Sequence, residues 1–514
     1  MIKHKVRFNY SSESTVEKVS IAGTFNGWDH TKNYFLKNKS GDFSIEVCIP
    51  TGRHFYKFVI NDSKWILDPN NSNISEDGQN NSSITINEAG KKLIRNNEIN
   101  KKNPADLFIK YEAVKTPEWL KKSVIYQLSI KSFSAQGITG VKNKLKYLKN
   151  LGISVIWLMP FWETGKKNRQ GSLGDPYAVY DFYTIDEEIG DENELSELVD
   201  IAHKYNMKVI FDIPINRAAI DNILINEHKE YFTLNSLGQV YYDIPGRTSF
   251  AGFNFKNDGL FNYIVDVIKY WIKKCNFDGI RLDDSDITPL YFLNKIKEEL
   301  NKIDDQFIII SQAYDEYHHI SFCNLTYDGF LRQAVKDISE DNMSKAEFIN
   351  SYEAFKYSFP KGALRMRWLE EKETIRAFKY YKPEVLCAAI AFLFTFDGVP
   401  ALVMGQEFNE KTYNTYESLF NEYIIDWDNF DNNIFLIYKR WIGIRNKYEA
   451  LWNGDVEFID NPFSKVISFV RSTKNQKVLV LINLGKEVNI IEMPNLLNEQ
   501  VILEGYEAEC IQII

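Results

Sequence analysis

Cysteine is scarce in this 514-residue chain: Cys48, Cys275, Cys323, Cys387 and Cys510 lie far apart and form no CxxC pair. Such spacing argues against a disulfide framework or a zinc site, and leaves reduced structural thiols and a cytoplasmic setting as the expectation. Long apolar runs are missing as well. No stretch of about twenty apolar residues occurs, and the opening MIKHKVRFNYSSES holds no apolar run of leader length, so neither a membrane span nor a secretory leader is expected. Excess positive charge is also absent. With 61 Lys and Arg against 70 Asp and Glu the net charge is −9. No basic face large enough to release phosphate counterions is evident, which argues against a nucleic-acid partner.

What is present is the composition of a soluble globular protein, 44% hydrophobic and 25% charged, so disordered and fibrous classes are disfavoured. The 14% aromatic share exceeds what packing alone needs, and flat aromatic faces are surfaces on which sugar rings stack. The length is too great for one core and implies about three or four domains.

Residues 1–88 read as a small β-sandwich, because short alternating runs such as FSIEVCI and HFYKFVI are broken by FNGWD, PTG and NDSK. A polar, Lys- and Asn-rich linker follows over 89–117. From 118 to 450 the rhythm becomes apolar strand, polar loop and amphipathic helix. Eight strands stand out: VIYQLSI, ISVIWLM, KVIFDI, DGIRLD, FIIIS, LTYD, ALRMRWL and PALVMG. Eight strands alternating with helices predict a parallel (β/α)₈ TIM barrel, with a loop insertion near 218–258. Residues 451–514 return to β pattern in VISFVRS and KVLVLIN and predict a C-terminal β domain. The fold class is thus multidomain α/β.

In such a barrel the chemistry sits at the C-terminal ends of the strands. There the third strand offers Asp212, then Asn216 and Arg217; the fourth Arg281 and Asp283; the fifth Gln312; the seventh Glu371, Lys372 and Glu373. Asp283 and Glu373 can face one pocket, and an Arg beside an Asp keeps that carboxylate ionised, as a nucleophile requires.

On these residues the chain resembles the α-amylase family, glycoside hydrolase family 13. The resemblance rests on GSLGDPYAVYDFY, NELSELVDIAHKYNMKVIFDIPIN and DGIRLD, with PALVMGQE and IIDWDN in support. It implies an α-glucan or maltooligosaccharide ligand, Asp283 as nucleophile, Arg281 as its orienting cation, Tyr177 stacked on the sugar and Asp212 in a partly structural role. Asn216 matches a position that helps hold calcium in some members, but the short loop after it offers no clear oxygen set, so no cofactor or metal is assigned.

The departures are equally specific. The family's general acid/base Glu is Gln312 here, in IIISQAYDEYH. Its His-Asp pair after the seventh strand is Lys372-Glu373, its first-region His is Arg217, and a second-region His is Asp286. Retaining hydrolysis needs a second carboxyl about 5 to 5.5 Å from the nucleophile to protonate the leaving oxygen. A Gln amide has no proton to give near neutral pH, so a contribution on the order of 10² to 10⁴ in rate is lost. Three functions stay open: an impaired α-glucan-recognising protein, a working retaining hydrolase or transglycosylase in which only the Gln is foreign, and a non-catalytic interaction scaffold. The cations Arg217 and Lys372 also admit an anionic sugar. Linkage preference and oligomeric state are left open.

The first 88 residues carry IAGTFNGWD, GRHFYKFVIND, KWILDPN and GQNNSSITI, which resemble the glycogen-binding module of carbohydrate-binding family 48. That resemblance implies an aromatic platform of Trp28 and Trp65 with Lys57 and Asn81 bonding sugar hydroxyls.

Overall fold

The computed structural model describes residues 3–11, 16–38, 41–50, 52–71, 81–86, 92–93, 108, 111–242, 244, 246–411, 418–493, 496 and 500–513. Most of the expected linker therefore lies outside the described residues.

At the centre is a closed barrel of eight parallel strands. In chain order they are Ile125–Leu128, Val155–Leu158, Lys208–Pro214, Gly279–Asp283, Ile308–Ser311, Leu325–Asp328, Leu364–Arg367 and Val399–Val403. All eight strands expected from the sequence are found. They are apolar almost throughout because helices cover the outside while side chains fill the inside, so both faces are dry. Gly279 shows how tight the wall is: a Cβ there would sit 2.8 Å from the Ile308 carbonyl oxygen on the neighbouring strand.

The covering helices follow their local sequence. Glu192–Lys204 starts at a capping box in which Asp191 accepts from the Asn193 and Glu194 amides and Glu194 reaches back, and it buries Leu195, Leu198, Val199 and Ala202 at helical spacing. Asp258–Cys275 is capped by Asn257 and stopped by Asn276 in the left-handed region.

The run PALVMGQE closes the barrel. Tyr126 on the first strand and Tyr147 on the helix after it donate their hydroxyls to Glu407 at 3.0 and 2.9 Å, and Gln406 donates to the Tyr438 hydroxyl at 2.9 Å. Burial pushes the Glu407 carboxyl up to about 7, against the two tyrosine hydroxyls that pull it down. A carboxyl raised in this way keeps its proton in the folded protein after the unfolded chain has lost it. Stability from this site is therefore full below about pH 4.5 and falls as pH rises towards 7, by on the order of 3 kcal/mol at most. Glu407→Gln removes that slope, so the variant gains on the parent in melting temperature between pH 5 and pH 8; a difference that does not change with pH would contradict the assignment.

The N-terminal unit is a sandwich of a three-stranded and a five-stranded sheet. Its separate core includes Phe8, Val19, Ile21, Phe43, Val47, Tyr56, Phe58 and Ile84. Lys92–Leu93 pairs with Ser82–Ile86, so the sandwich sheet continues past residue 88. Residues 111–113 then dock on the turn at Lys361, through Ala113 N–H to the Lys361 carbonyl at 2.9 Å. At the other end a four-stranded sheet, Asp455–Phe458, Val466–Ser472, Lys477–Asn483 and Ala508–Gln512, packs on the barrel through Phe469, 5.8 Å from Phe392. In the insertion, Arg217–Ala219 pairs antiparallel with Phe250–Gly252, which anchors the loop over the barrel mouth.

Candidate active site

The third and fourth strands run in register with Asp212 opposite Arg281 and Pro214 opposite Asp283. This register builds a buried charge cluster. Arg281 Nη1 donates to Asp212 Oδ1 at 2.8 Å and to Asp283 Oδ1 at 2.6 Å, and its Nε donates to the Tyr327 hydroxyl at 3.0 Å. Tyr177 donates its hydroxyl to Asp212 Oδ2 at 2.8 Å, and Trp157 Nε1 donates to the same oxygen at 3.2 Å. Burial pushes Asp212 up to about 6, with Arg281 opposing.

Arg217 approaches Asp283 from the insertion side. Its Nη2 donates to Asp283 Oδ2, while its Nη1 donates to Asn216 Oδ1 at 2.8 Å and pairs with Asp284 at 2.7 Å. The guanidinium also lies 4.8 Å over the Phe250 ring. Both oxygens of Asp283 are therefore held by guanidinium groups, Oδ1 by Arg281 and Oδ2 by Arg217. Arg247 donates to Asp284 at 2.9 Å. Burial would raise the Asp284 carboxyl, yet Arg217 and Arg247 together hold it well below the usual carboxylate range.

After the seventh strand, Lys372 pairs with Glu373 at 2.7 Å and lies 4.9 Å over the Tyr177 ring. Burial would lower its pKa, but Glu373 and Glu371 raise it further. Burial pushes Glu371 up to about 7, helped by the neighbouring Glu373 charge and opposed by Lys372. Gln312 accepts the Asp284 backbone N–H on Oε1 at 2.9 Å. Asn216 turns its carbonyl oxygen to Arg217 and its amide to the Asp284 carbonyl at 3.2 Å. A guanidinium at that oxygen is the wrong neighbour for calcium, and these residues do not fit the ion.

Two adjoining cavities open above the cluster. One, of about 390 Å³, is lined by Tyr177, Arg217, Phe250 and Asp283. The other, of about 610 Å³, is lined by Gln312, Tyr314, Trp368 and Glu371, and by Trp28, Lys57, Trp65 and Asn81 of the sandwich. Asp284, Arg247 and Glu373 border both, so they form one cleft. Of the residues expected to bind ligand, Asp212, Arg281 and Lys372 do not reach it. They lie buried beneath its floor, Lys372 with 0% exposure, because Asp212 and Arg281 pair with each other and Lys372 pairs with Glu373. Arg247, Asp175, Asp284 and Glu371 shape the cleft without having been singled out as ligand contacts. Asp175 could have been found, since it sits in the GDPY run; for Arg247, inside the insertion, the sequence carries no signal.

The barrel, its strand-end carboxylates and the flanking β units together form a polar cleft at the barrel mouth. A family profile described as "Alpha amylase, catalytic domain" matches residues 125–233, and one described as "Glycogen recognition site of AMP-activated protein kinase" matches residues 4–92. The chain is thus similar to the α-amylase family over part of its barrel and to a glycogen-recognition domain over its N-terminal sandwich. It is 23% identical over 404 residues to alpha-amylase MalA of Haloarcula japonica, across 74% of this chain and 58% of that protein. It is 23% identical over 447 residues to a cyclomaltodextrinase of Thermoanaerobacter pseudethanolicus, across 76% and 75%. Among solved structures, the maltogenic alpha-amylase AmyB of Thermotoga neapolitana superposes with a TM-score of 0.69 at 29% identity, covering 77% of this chain and 97% of that one. The maltogenic amylase of S. marinus, at 15% identity, shares the fold over 99% of this chain and 97% of its own, with a TM-score of 0.71.

Proposed function

We propose that this protein recognises α-glucan chains and holds them in its cleft with little or no cleavage. The observation that carries this reading is the double clamp on Asp283. A carboxylate attacks through an oxygen lone pair, and here Arg217 and Arg281 each hold one of its two oxygens, which draws charge from both and crowds the attacking side. Gln312 compounds the loss, because it can accept or donate a hydrogen bond but supplies no acidic proton.

The cleft still suits a sugar, which favours this reading over a scaffold with a vestigial pocket. It keeps Trp28 and Trp65 as stacking faces, the edges of Tyr177 and Trp368 in its lining and many hydrogen-bonding groups along its walls. Neutral sugar fits better than an anionic one. Arg217 and Lys372 are already engaged by Asp283, Asp284, Glu371 and Glu373. Five thiols without a disulfide support a reducing, cytoplasmic setting.

A second reading, an active hydrolase, has one observation in its favour. Glu371 lines the same cavity as Gln312, retains its proton up to about 7, and its Oε1 makes no hydrogen bond. Such a carboxyl could serve as the acid. Calorimetric titration with maltoheptaose, followed by analysis of the recovered sugar, separates the two. Binding with the heptasaccharide intact is expected. Shortened products that vanish in Glu371→Gln would replace this reading with the second.

A further inference from the structure

The sandwich carries the four residues expected to form a glucan platform, and the barrel carries the cleft; their relative placement joins them. Along the strand Gly52–Ile60, Phe55, Lys57 and Val59 alternate onto one face, and Trp65 stands opposite Val59 on the adjacent strand. That same face meets the barrel. Phe55 packs edge-on against Tyr314 at 6.2 Å, two residues after Gln312. The platform face and the docking face of the sheet are therefore one.

The indoles are held for display. Trp28 and Trp65 lie 6.3 Å apart at 39°, and Trp65 keeps 42% exposure while it lines the cleft. Trp28 adopts φ 61°, a left-handed conformation costly for a bulky residue, directly after Gly27 at φ 67°. Asn26 enforces this turn by accepting the Gly23 amide at 2.9 Å and donating to Ile21 and Asp29 carbonyls at 3.0 and 3.1 Å. Asp286, Glu371 and Glu373 line the same cavity as the indoles and offer acceptors for hydroxyl groups.

The geometry points to a composite site: the Trp28–Trp65 platform is the outer wall of the barrel's own cleft, not a separate docking surface, and one α-glucan chain touches both units at once. This rests on the glucan-binding reading above and adds that the protein has a single glucan site, not two.

The test is calorimetric titration of the full chain with maltoheptaose, for the parent, Trp65→Ala, Trp65→Phe and Glu373→Gln. The expected result is one sugar per chain, an affinity about tenfold or more weaker in Trp65→Ala, largely restored in Trp65→Phe, and weakening of that same single event in Glu373→Gln. Two sites per chain, or a full-affinity site surviving Trp65→Ala, overturns the composite site while leaving glucan recognition intact. Cleavage of the sugar with one-to-one stoichiometry overturns the non-cleaving reading and leaves the composite site standing. No binding by the parent overturns both.

Discussion

Gln312→Glu alone is expected to leave reducing-end release from maltoheptaose within about tenfold of the parent, whereas Gln312→Glu with Arg217→His raises it by on the order of 10² or more. On the proposed reading, the single change supplies a proton donor beside an Asp283 carboxylate still held at both oxygens. Arg217→His frees Asp283 Oδ2, and Arg281 remains on Oδ1 to keep the carboxylate ionised and aligned. The two changes act on one transition state, so their joint effect exceeds the product of the separate ones. A large gain from Gln312→Glu alone would show that Arg217 does not block attack and that the missing acid is the whole defect.

Arg281→Met is expected to cost about 3 to 5 kcal/mol of stability, read from the denaturant midpoint of the barrel. The guanidinium is fully buried and is the shared partner of Asp212 and Asp283. Its removal strands Asp212 in the interior with only hydroxyl and indole donors, from Tyr177 and Trp157. Asp212→Asn should then restore a good part of the loss in Arg281→Met, although the same change in the parent is unfavourable. Loss without any rescue would mean that Arg281 contributes packing against Trp157, 5.2 Å away, more than charge balance.

The barrel was legible because each strand is a short apolar run between turn signals, and its helices carry caps and stripes that depend only on neighbours in sequence. The strand-end positions of Asp283 and Gln312 follow from the same pattern, since residues that end an apolar run emerge at the mouth, whereas Asp212 and Arg281 lie inside their strands and stay beneath the cleft floor. Partner choice was not legible. Arg217 and Asp283 are 66 residues apart, and nothing local says that the guanidinium closes on the carboxylate rather than reaching out to a ligand. Lys372 reads as a cleft cation, yet a carboxylate next to it in sequence and another one residue before it turn it inward. The sandwich boundary moved because Lys92–Leu93 pairs with Ser82–Ile86 across a polar stretch that carries no strand pattern. Alternation in HFYKFVI placed Phe55 and Lys57 on one face, but only three-dimensional packing shows that this face rests on the barrel.

The most direct test of the clamped nucleophile uses α-maltotriosyl fluoride, whose fluoride departs as an anion and needs no protonation, so that Gln312 is bypassed. Attack forms a bond from the Asp283 carboxylate to the anomeric carbon and breaks the carbon–fluorine bond; the glycosyl ester that results is hydrolysed slowly, because Gln312 cannot take the proton of the attacking water, so the reading is the first-turnover burst of one fluoride per chain. With both Asp283 oxygens engaged, the first-turnover burst of fluoride from the unaltered chain should be more than about 10²-fold slower than the 1 to 10³ s⁻¹ of ordinary enzymes, and Arg217→His should recover most of that deficit in the burst rate. Fluoride release by the unaltered chain within that ordinary range would show Asp283 to be a free nucleophile and would contradict the account.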